Sequence, residues 1–282
     1  MSFLAASLQM QTGPDRPSNL SRALALVAAA ADRGARLVAL PEMWEHIGPA
    51  AQKAAFAGPV DGAQLAPLRE LAARRGLWLL AGSIAERAAD GRFHNTSALI
   101  APDGRIAGSY RKLHLFDVDI PDGARYRESE QVAPGDALAP VIELAGLGVR
   151  LGLSICYDLR FPELYRSLAD QGADLIAVPA AFTAFTGRAH WEVLLRARAI
   201  EDQAYLLAPA QAGQIGPAEE RRMAHGHACV IDPWGEVLAD AGGAGEGMAV
   251  AEIRPERIAQ VRRDLPALGH RRRGLLQEPP AR

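Results

Sequence analysis

Short apolar segments without polar alternation recur along this chain, and they constrain its fold more than any other feature. Examples are ARLVALP at 35–41, VRLGLSIC at 149–156 and DLIAVPA at 174–180. Strands of this kind are covered on both faces, so they belong in a sheet that lies between other layers. Helical patterns separate them; the first is expected over 18–33, with Ser18 as N-cap and Gly34 as terminator. The alternation predicts an α/β fold with crossover helices.

The chain also repeats itself over a long period. Residues 31–44 (ADRGARLVALPEMW) match 169–182 (ADQGADLIAVPAAF), and residues 97–106 echo 228–237 in the same order. Two similar halves, each with helices and its own sheet, would pack sheet against sheet as a four-layer sandwich with a pseudo-twofold repeat. Chance similarity between α/β segments is the alternative. Because no linker rich in proline or serine separates the halves, we expect one domain over 1–282.

The repeat exposes one difference of functional interest, at Glu42. This carboxylate follows Pro41 at the end of a strand, whereas the second half has Ala180 at the matching position. Ligands of open α/β sheets bind beyond the carboxyl ends of the strands, which is where Glu42 lies. A glutamate that is desolvated there can act as a general base. The alternative is a carboxylate that only begins a helix.

Cys156 ends the apolar strand 149–156, and the following residues YDLRFPELYR start a helix. A nucleophile on such a turn is exposed and faces backbone N–H groups that can bind an oxyanion. Nearby positive charge and a helix N-terminus are expected to favour the thiolate. Taken alone, the pattern fits an inert core cysteine as well. That second interpretation is preferred for Cys229, which lies in the middle of a strand.

Lysine is scarce here, since only Lys53 and Lys112 among the 31 basic residues are lysines. A lysine placed beside Arg111 indicates a role that needs a compact amine of adjustable pKa rather than a guanidinium. Lys112 is therefore a candidate to stabilise an oxyanion and to lower the pKa of a thiol; a solvated charge is the alternative. Glu128 is a candidate to orient this lysine or the base, and Glu130 is equally suitable on chemistry alone.

Charge and composition exclude several classes of function. A net charge of −2 gives no attraction to nucleic acid or anionic membrane, and no apolar run is long enough to span a bilayer. Two cysteines and the absence of a basic, apolar leader favour a cytoplasmic protein without a disulfide framework. His225 and His227 lack further metal ligands, and GGAGEG lacks dinucleotide-binding spacing, so neither a metal nor a cofactor is expected.

Three motifs together resemble the nitrilase superfamily of carbon–nitrogen hydrolases: LPEMW around Glu42, YRKLHLFD around Lys112 and SICYDLRFPELYR around Cys156. The order Glu, Lys, Cys is that of the family's catalytic triad, and the resemblance continues to RRDLPALGHRR at 262–272. The resemblance implies an αββα sandwich of two mixed sheets, usually assembled as a homodimer. It also implies that Glu128 is the family's additional active-site glutamate.

The same resemblance implies a mechanism. Glu42 would take the proton of Cys156, and the thiolate would attack an amide carbon. Lys112 and the backbone N–H of Tyr157 would then stabilise the oxyanion. Finally, Glu42 would protonate the departing ammonia and activate the water that cleaves the thioester.

The substrate is implied less directly. Arg160 resembles an arginine that binds substrate carboxylate in carbamoyl-amino-acid hydrolases, although an ion pair with Asp158 or Glu163 is the alternative. The closest branch implied is that of the Nit-type amidases, which act on deaminated glutathione or on ω-amides of α-keto acids. The RRDLPALGHRR motif favours deaminated glutathione, a small amide bearing carboxylates. Omega-amidase, N-carbamoyl amino acid hydrolase, nitrilase and a non-catalytic interaction module on the same fold stay open.

Overall fold

The computed structural model describes residues 1–120, 125–138 and 140–272, so the end of the expected domain, 273–282, lies outside the described residues. Its helices are α1 (Arg16–Asp32), α2 (Ala50–Phe56), α3 (Ala66–Arg75), α4 (Pro162–Asp170), α5 (Ala184–Asp202) and α6 (Pro255–Asp264). Its strands are β1 (Phe3–Met10), β2 (Ala35–Ala39), β3 (Trp78–Leu80), β4 (Ile84–Arg87), β5 (Phe93–Ile100), β6 (Ile106–Arg111), β7 (Asp117–Asp119), β8 (Arg125–Arg127), β9 (Val141–Leu144), β10 (Val149–Leu153), β11 (Leu175–Ala177), β12 (Tyr205–Ala208), β13 (Ala210–Ile215), β14 (Arg222–His225), β15 (Cys229–Ile231), β16 (Val237–Asp240) and β17 (Gly247–Ile253). Of the described helices, none has the length and apolar character needed to cross a membrane.

The first sheet has the order β14-β13-β1-β2-β3-β5-β4, with β17 paired to β1 and β6 paired to β5. Strand β1 lies inside this sheet, because it pairs in parallel with β2 and β13 and antiparallel with β17. Strand β1 was not predicted from the sequence, because Ser7 and Gln9 interrupt its apolar run.

The second sheet has the order β16-β15-β12-β11-β10-β9 among the described strands. Strands β11, β12, β15 and β16 are joined by one parallel pairing followed by two antiparallel pairings. Strands β2, β3, β5 and β6 of the first sheet are joined in the same way. The repeated sequence segments contain β2 and β11, and the turns that follow β5 and β15, so the sequence repeat is also a repeat of topology. The prediction of an α/β fold with two mixed sheets is confirmed.

Alternation along each strand separates the two faces of the sheets. In β2, Leu37 belongs to the buried cluster that includes Leu153 of the second sheet and Trp191 of α5. Its neighbour Val38 belongs to a different cluster, together with Val27 of α1 and side chains of α3. Helix α5 in turn packs on β12 and β15. The two sheets therefore share a core, with α1 and α3 outside the first sheet and α5 outside the second.

Helix α1 begins two residues earlier than the sequence predicts. Asp15 is its N-cap by backbone conformation, and Pro17 lies in the first turn, so Ser18 is inside the helix. Proline fits this turn because its φ is preset and its missing N–H has no helical partner to lose. The predicted end is closer to the structure, because α1 ends at Asp32 and Gly34 adopts a φ of 86°.

Candidate active site

Cys156 lies on a turn between the end of β10 and the start of α4. It opens a five-residue 3-10 helix, Cys156–Arg160, which the sequence pattern did not separate from the helix that follows. Its φ of 49° lies in the left-handed region, which residues other than glycine adopt rarely and often at functional sites. The Cys156 N–H donates to the carbonyl of Pro179 at 3.0 Å, which ties the turn to the end of β11.

Glu42 occupies the turn beyond β2 in the first sheet, which the sequence repeat matches to the turn beyond β11. The next residue, Met43, also has a left-handed φ, of 52°. A Cβ at Gly82 would lie 2.0 Å from the carbonyl oxygen of Pro41, so the turn requires glycine at that point. Glu42 is only 5% exposed, and its Oε2 accepts a hydrogen bond from the Ala181 N–H at 2.8 Å. The carboxylate is therefore buried and held toward the second sheet.

Lys112 follows β6 and is only 2% exposed. Its Nζ donates to Glu42 Oε1 at 3.2 Å and to both carboxylate oxygens of Glu128, at 2.9 and 2.8 Å. Burial by itself would lower the pKa of this amine, but the carboxylates of Glu128 and Glu42 outweigh burial and hold the pKa well above its usual range. Lys112 is a fixed positive charge between two carboxylates, and not a solvated surface charge.

Glu128 begins a 3-10 turn, Glu128–Glu130, directly after β8. Besides binding Lys112, its Oε2 accepts a hydrogen bond from the Phe116 N–H at 2.6 Å. Asn95 of β5 donates to Glu42 at 2.9 Å and to Glu128 at 3.5 Å, so one amide joins both carboxylates. Glu130, at the other end of the turn, is exposed to solvent. The turn therefore brings Glu128, and not Glu130, to the lysine.

The surroundings of the Cys156 thiol shift its pKa upward, whereas the sequence indicates a lowered pKa that would favour the thiolate. Burial and the Glu42 carboxylate raise its pKa well above the usual range, and Lys112 lowers it only in part. The positive charge of Lys112 is already shared with Glu128 at 2.8 Å, which limits its effect on the sulfur. A thiol in this setting needs a base to remove its proton, and Glu42 is the neighbouring carboxylate.

Asp158 joins the Cys156 turn to the segment that carries Lys112. Its fully buried carboxylate accepts four hydrogen bonds: from the Ile155 N–H at 2.9 Å, from the Tyr110 hydroxyl at 2.8 Å, and from the His114 N–H and ring Nδ1 at 3.2 and 2.7 Å. Tyr110 and His114 stand two residues before and two residues after Lys112. A single carboxylate thus fixes the position of the lysine segment relative to the sulfur.

Arg160 faces the same site without a carboxylate partner among the described residues. Its Nη1 lies 3.1 Å from His190 Nδ1, and its guanidinium lies over the Phe182 ring at 5.3 Å from the centroid. Asp158 is occupied by the four donors above, and Glu163 makes no ion pair with Arg160 in the described part of the chain. The alternative of an intramolecular ion pair is therefore not realised, and the guanidinium can meet an anion in the cavity.

Tyr157 follows Cys156 in the same 3-10 helix. The first N–H groups of a helix have no intrahelical acceptor. Within the described ranges, no group accepts a hydrogen bond from the Tyr157 N–H. This donor is therefore available beside the sulfur, and its assignment to the oxyanion stays a prediction.

These groups meet in a cavity of about 350 Å³, a size that suits a small-molecule ligand. The predicted site residues that line it are Glu42, Lys112, Glu128, Cys156, Tyr157 and Arg160. Lys53 of α2 also lines it, and the sequence analysis gave that residue no role. Burial and the charge of Arg222 lower the pKa of Lys53 to about 8. The scarcity of lysine, which indicated Lys112, applied equally to Lys53 and could have identified it.

The remaining cysteine and histidine candidates lie elsewhere. Cys229 is buried in β15, and burial raises the pKa of its thiol far above the usual range. The rings of His225 and His227 are 4.8 Å apart, and His227 Nδ1 lies 2.9 Å from Asp240. In the part of the chain that the structure describes, no group of three or more His, Cys, Asp and Glu side chains could hold a metal ion.

Comparison with known proteins agrees with this geometry. Residues 4–263 match the family model described as carbon–nitrogen hydrolase. A deaminated glutathione amidase from Synechocystis sp. is 49% identical over 271 residues, which cover 95% of this chain and 98% of that protein. A human omega-amidase is 36% identical, with 97% of this chain and 96% of that protein covered.

Among solved structures, a Saccharomyces cerevisiae protein described as a member of branch 10 of the nitrilase superfamily superposes with a TM-score of 0.84. It is 31% identical, and 96% of each chain is covered. Similarity of sequence and of fold therefore extends over nearly the whole length of this chain.

Proposed function

This chain belongs to the carbon–nitrogen hydrolase family, within the nitrilase superfamily, and is an amidase; we propose that Cys156, Glu42, Lys112 and Glu128 carry out its reaction. One observation carries the proposal. A buried ammonium lies between two carboxylates, 3.2 Å from one and 2.8 Å from the other, and shares a cavity with the Cys156 side chain. These are the base, the positive charge and the nucleophile that acyl transfer needs.

In the first half of the reaction, Glu42 removes the proton from the Cys156 sulfur, and the thiolate attacks the amide carbon. Negative charge then develops on the carbonyl oxygen, where the Lys112 ammonium and the Tyr157 N–H stabilise it. Each such donor contributes roughly 100- to 1,000-fold in rate. Glu128 keeps Lys112 charged and in place during this step.

In the second half, the tetrahedral intermediate collapses to a thioester on Cys156, and protonated Glu42 gives its proton to the leaving amine. A water molecule then takes the place of that amine. Glu42 removes a proton from the water, and the resulting attack on the thioester releases the carboxylic acid and restores the thiol. One carboxylate therefore serves as base and acid in both halves.

We propose deaminated glutathione as the substrate. Glutathione is γ-glutamyl-cysteinyl-glycine, and in its deaminated form a ketone replaces the glutamyl amine. This molecule has a carboxylate at each end, and cleavage of the amide bond between its 2-oxoglutaryl group and cysteinylglycine has cysteinylglycine as the leaving amine. The 49% identical relative from Synechocystis sp. is named deaminated glutathione amidase, which supports this substrate. Cationic side chains in the cavity, such as Arg160, support a substrate with carboxylates.

The test compares kcat/KM for deaminated glutathione, α-ketoglutaramate, an N-carbamoyl amino acid and a simple nitrile. Release of a primary amine measures the first reaction, and release of ammonia measures the other three. We expect deaminated glutathione to exceed each of the others by at least about tenfold, the scale of one charge-assisted contact. Cys156→Ala supplies the background rate, and a higher value for any other substrate would refute the assignment.

Omega-amidase activity is the second candidate, supported by the 36% identity to the human omega-amidase. Its substrates release ammonia and bear their carboxylate on the acyl side only. A kcat/KM for α-ketoglutaramate above that for deaminated glutathione would establish this second candidate. An interaction module on the same fold would release neither product and would leave Cys156 unlabelled by iodoacetamide.

We further propose that the chain forms a homodimer and works in the cytoplasm. Val193 and Ile200 of α5 are 67% and 48% exposed, and Trp234 on the adjoining turn is 50% exposed. The Arg196 side chain donates to Gly235 at 2.8 Å, so the turn packs on α5 and the apolar groups are neighbours. A second copy would cover this surface. Light scattering of the wild type and of Trp234→Lys tests the proposal, since a monomeric wild type would contradict it.

A further inference from the structure

The cavity carries more positive charge than its own carboxylates neutralise. Among its described lining residues, the basic ones are Lys53, Lys112, Arg125, Arg127, Arg160 and Arg222, and the acidic ones are Glu42, Glu128 and Glu220. Lys112 is shared by Glu42 and Glu128, while Arg125 and Arg127 both contact Asp119. Lys53 and Arg160 have no ion pair with a described carboxylate, and Arg222 has only the long contact with Glu220, so these three cations can meet a ligand.

Lys53 and Arg222 occupy one part of the cavity. The Lys53 amine has neither a hydrogen bond nor an ion pair with any described residue, and the nearest carboxylate oxygen of Glu220 is 4.0 Å from Arg222. Ala57, which follows α2, and Ile215, the register partner of Arg222, belong to one buried cluster, so α2 and the strand that carries Arg222 pack together. Burial and then the charge of Arg222 lower the pKa of Lys53. Two like charges this close are unfavourable by themselves, and a bound anion would relieve their repulsion.

A row of aromatic rings separates this pair from Arg160. The Arg222 guanidinium lies 5.9 Å from the Tyr126 ring, and the Arg160 guanidinium lies 5.8 Å from the Tyr157 ring. Phe116 stands between those rings, 5.1 Å from Tyr126 and 5.0 Å from Tyr157. The two arginines therefore contact opposite ends of a row of three rings.

The positions of the reacting groups indicate whether each cation faces the leaving group or the acyl group of the substrate. Glu42 gives its proton to the leaving amine, so the leaving group extends on the side of Glu42. Met43, the neighbour of Glu42, belongs to the same buried cluster as Ala57, which follows α2, so Lys53 of α2 lies on that side too. The charges of Glu128, Glu42 and Glu220 partly offset the lowering of the Lys53 pKa. Arg160 belongs to the 3-10 helix that begins with Cys156, the residue that carries the acyl group in the proposed mechanism.

Resting on the proposed function, we propose that Lys53 and Arg222 form a subsite for a carboxylate on the leaving amine, while Arg160 binds the carboxylate of the acyl group. The subsite narrows the substrate class to amides whose leaving group is itself an acid, such as a dipeptide. An ω-amide that releases ammonia has no group to fill it. Lys53 and Arg222 are thus specificity residues that separate the two candidate activities.

The test uses two substrates that differ in one group: deaminated glutathione and its analogue with the terminal glycine carboxylate converted to a primary amide. A charge-assisted contact predicts that the wild type prefers the acid roughly 10- to 100-fold in kcat/KM, mostly through KM. Lys53→Met and Arg222→Met are each expected to reduce this ratio about tenfold. Lys53→Arg keeps the charge and is expected to retain most of the preference.

Arg263→Met is the matched control, because it removes an exposed cation of α6 that is not part of the cavity. This control is expected to keep the wild-type ratio of acid to amide. Equal losses on both substrates in Lys53→Met would show an effect on chemistry or folding and would overturn the subsite. A wild type without preference for the acid would overturn it as well.

Inhibition separates a failure of the subsite from a failure of the proposed substrate. N-acetylcysteinylglycine and its C-terminal amide are compared as inhibitors of α-ketoglutaramate hydrolysis. The subsite predicts that the acid inhibits the wild type at least about tenfold more strongly than the amide, and that Lys53→Met removes the difference. If tripeptide turnover is negligible while this difference holds, the substrate proposal fails and the subsite stands. Equal inhibition by acid and amide refutes the subsite.

Discussion

Replacing Asp158 by asparagine would remove the charge of the carboxylate that joins the Cys156 turn to the Lys112 segment, with little change in shape. The carboxylate accepts four hydrogen bonds at 2.7 to 3.2 Å, from Ile155, Tyr110 and twice from His114. An asparagine oxygen can keep two of these donors, and its NH₂ group faces the other two.

The loss of these hydrogen bonds lowers the free energy of unfolding. Buried hydrogen bonds to a charged acceptor contribute about 1.5–3 kcal/mol each, so losing two destabilises the fold by at least about 3 kcal/mol. For a domain of this size that corresponds to a fall in Tm of about 6–12 °C. A shift of roughly 1 Å between Lys112 and the Cys156 sulfur costs about 100-fold in rate, and we expect it in kcat with little change in KM.

Asp232→Asn is the matched control. Asp232 is 3% exposed and accepts hydrogen bonds from Trp234, Glu236 and Arg257, and it does not line the cavity. Thermal unfolding and steady-state kinetics are measured on both variants below their Tm. Both are expected to lose stability, but only Asp158→Asn is expected to lose kcat. A folded Asp158→Asn enzyme with wild-type kcat would refute the positioning role.

Three further predictions concern charge in the cavity. Lys112→Arg is expected to lower kcat at least about 100-fold in a steady-state assay, because the larger planar group cannot occupy the point between Glu42 and Glu128; near-normal turnover would contradict this. Glu128→Gln removes a carboxylate that raises the pKa of Lys112, so the alkaline limb of the kcat–pH profile should move to lower pH. An unchanged alkaline limb would contradict the ion pair between Lys112 and Glu128. Lys53 is charged below its pKa of about 8 and neutral above it, so KM for deaminated glutathione should rise as pH passes 8, and Lys53→Arg should abolish that rise.

Much of the site could be predicted from sequence because its parts lie where strands end. Glu42 follows β2 of the first sheet and Cys156 follows β10 of the second, and the turns beyond these strands line one cavity. The choice between Glu128 and Glu130 could not be made from chemistry, since it depends on the 3-10 turn that directs only the first toward Lys112. The upward shift of the Cys156 pKa could not be predicted, because the sequence does not reveal the burial of the sulfur or the nearness of Glu42.

Contacts between distant segments could not be predicted from the sequence. Asp158 meets Tyr110 and His114 from 48 and 44 residues away, so nothing local marks it as a link between segments. Lys53 lies in an alanine-rich helix with no motif of its own, and its place in the cavity depends on how α2 packs. The sequence shows only that Lys53 is one of two lysines in the chain.

The proposed mechanism requires that Cys156 carries the acyl group during turnover. Rapid mixing with deaminated glutathione, acid quench and peptide mass spectrometry test it directly. We predict a 2-oxoglutaryl thioester on the peptide containing Cys156, formed before steady-state turnover and absent from the peptide containing Cys229. Steady turnover without an acylated Cys156, or acylation of another residue, would contradict the role of Cys156 as nucleophile.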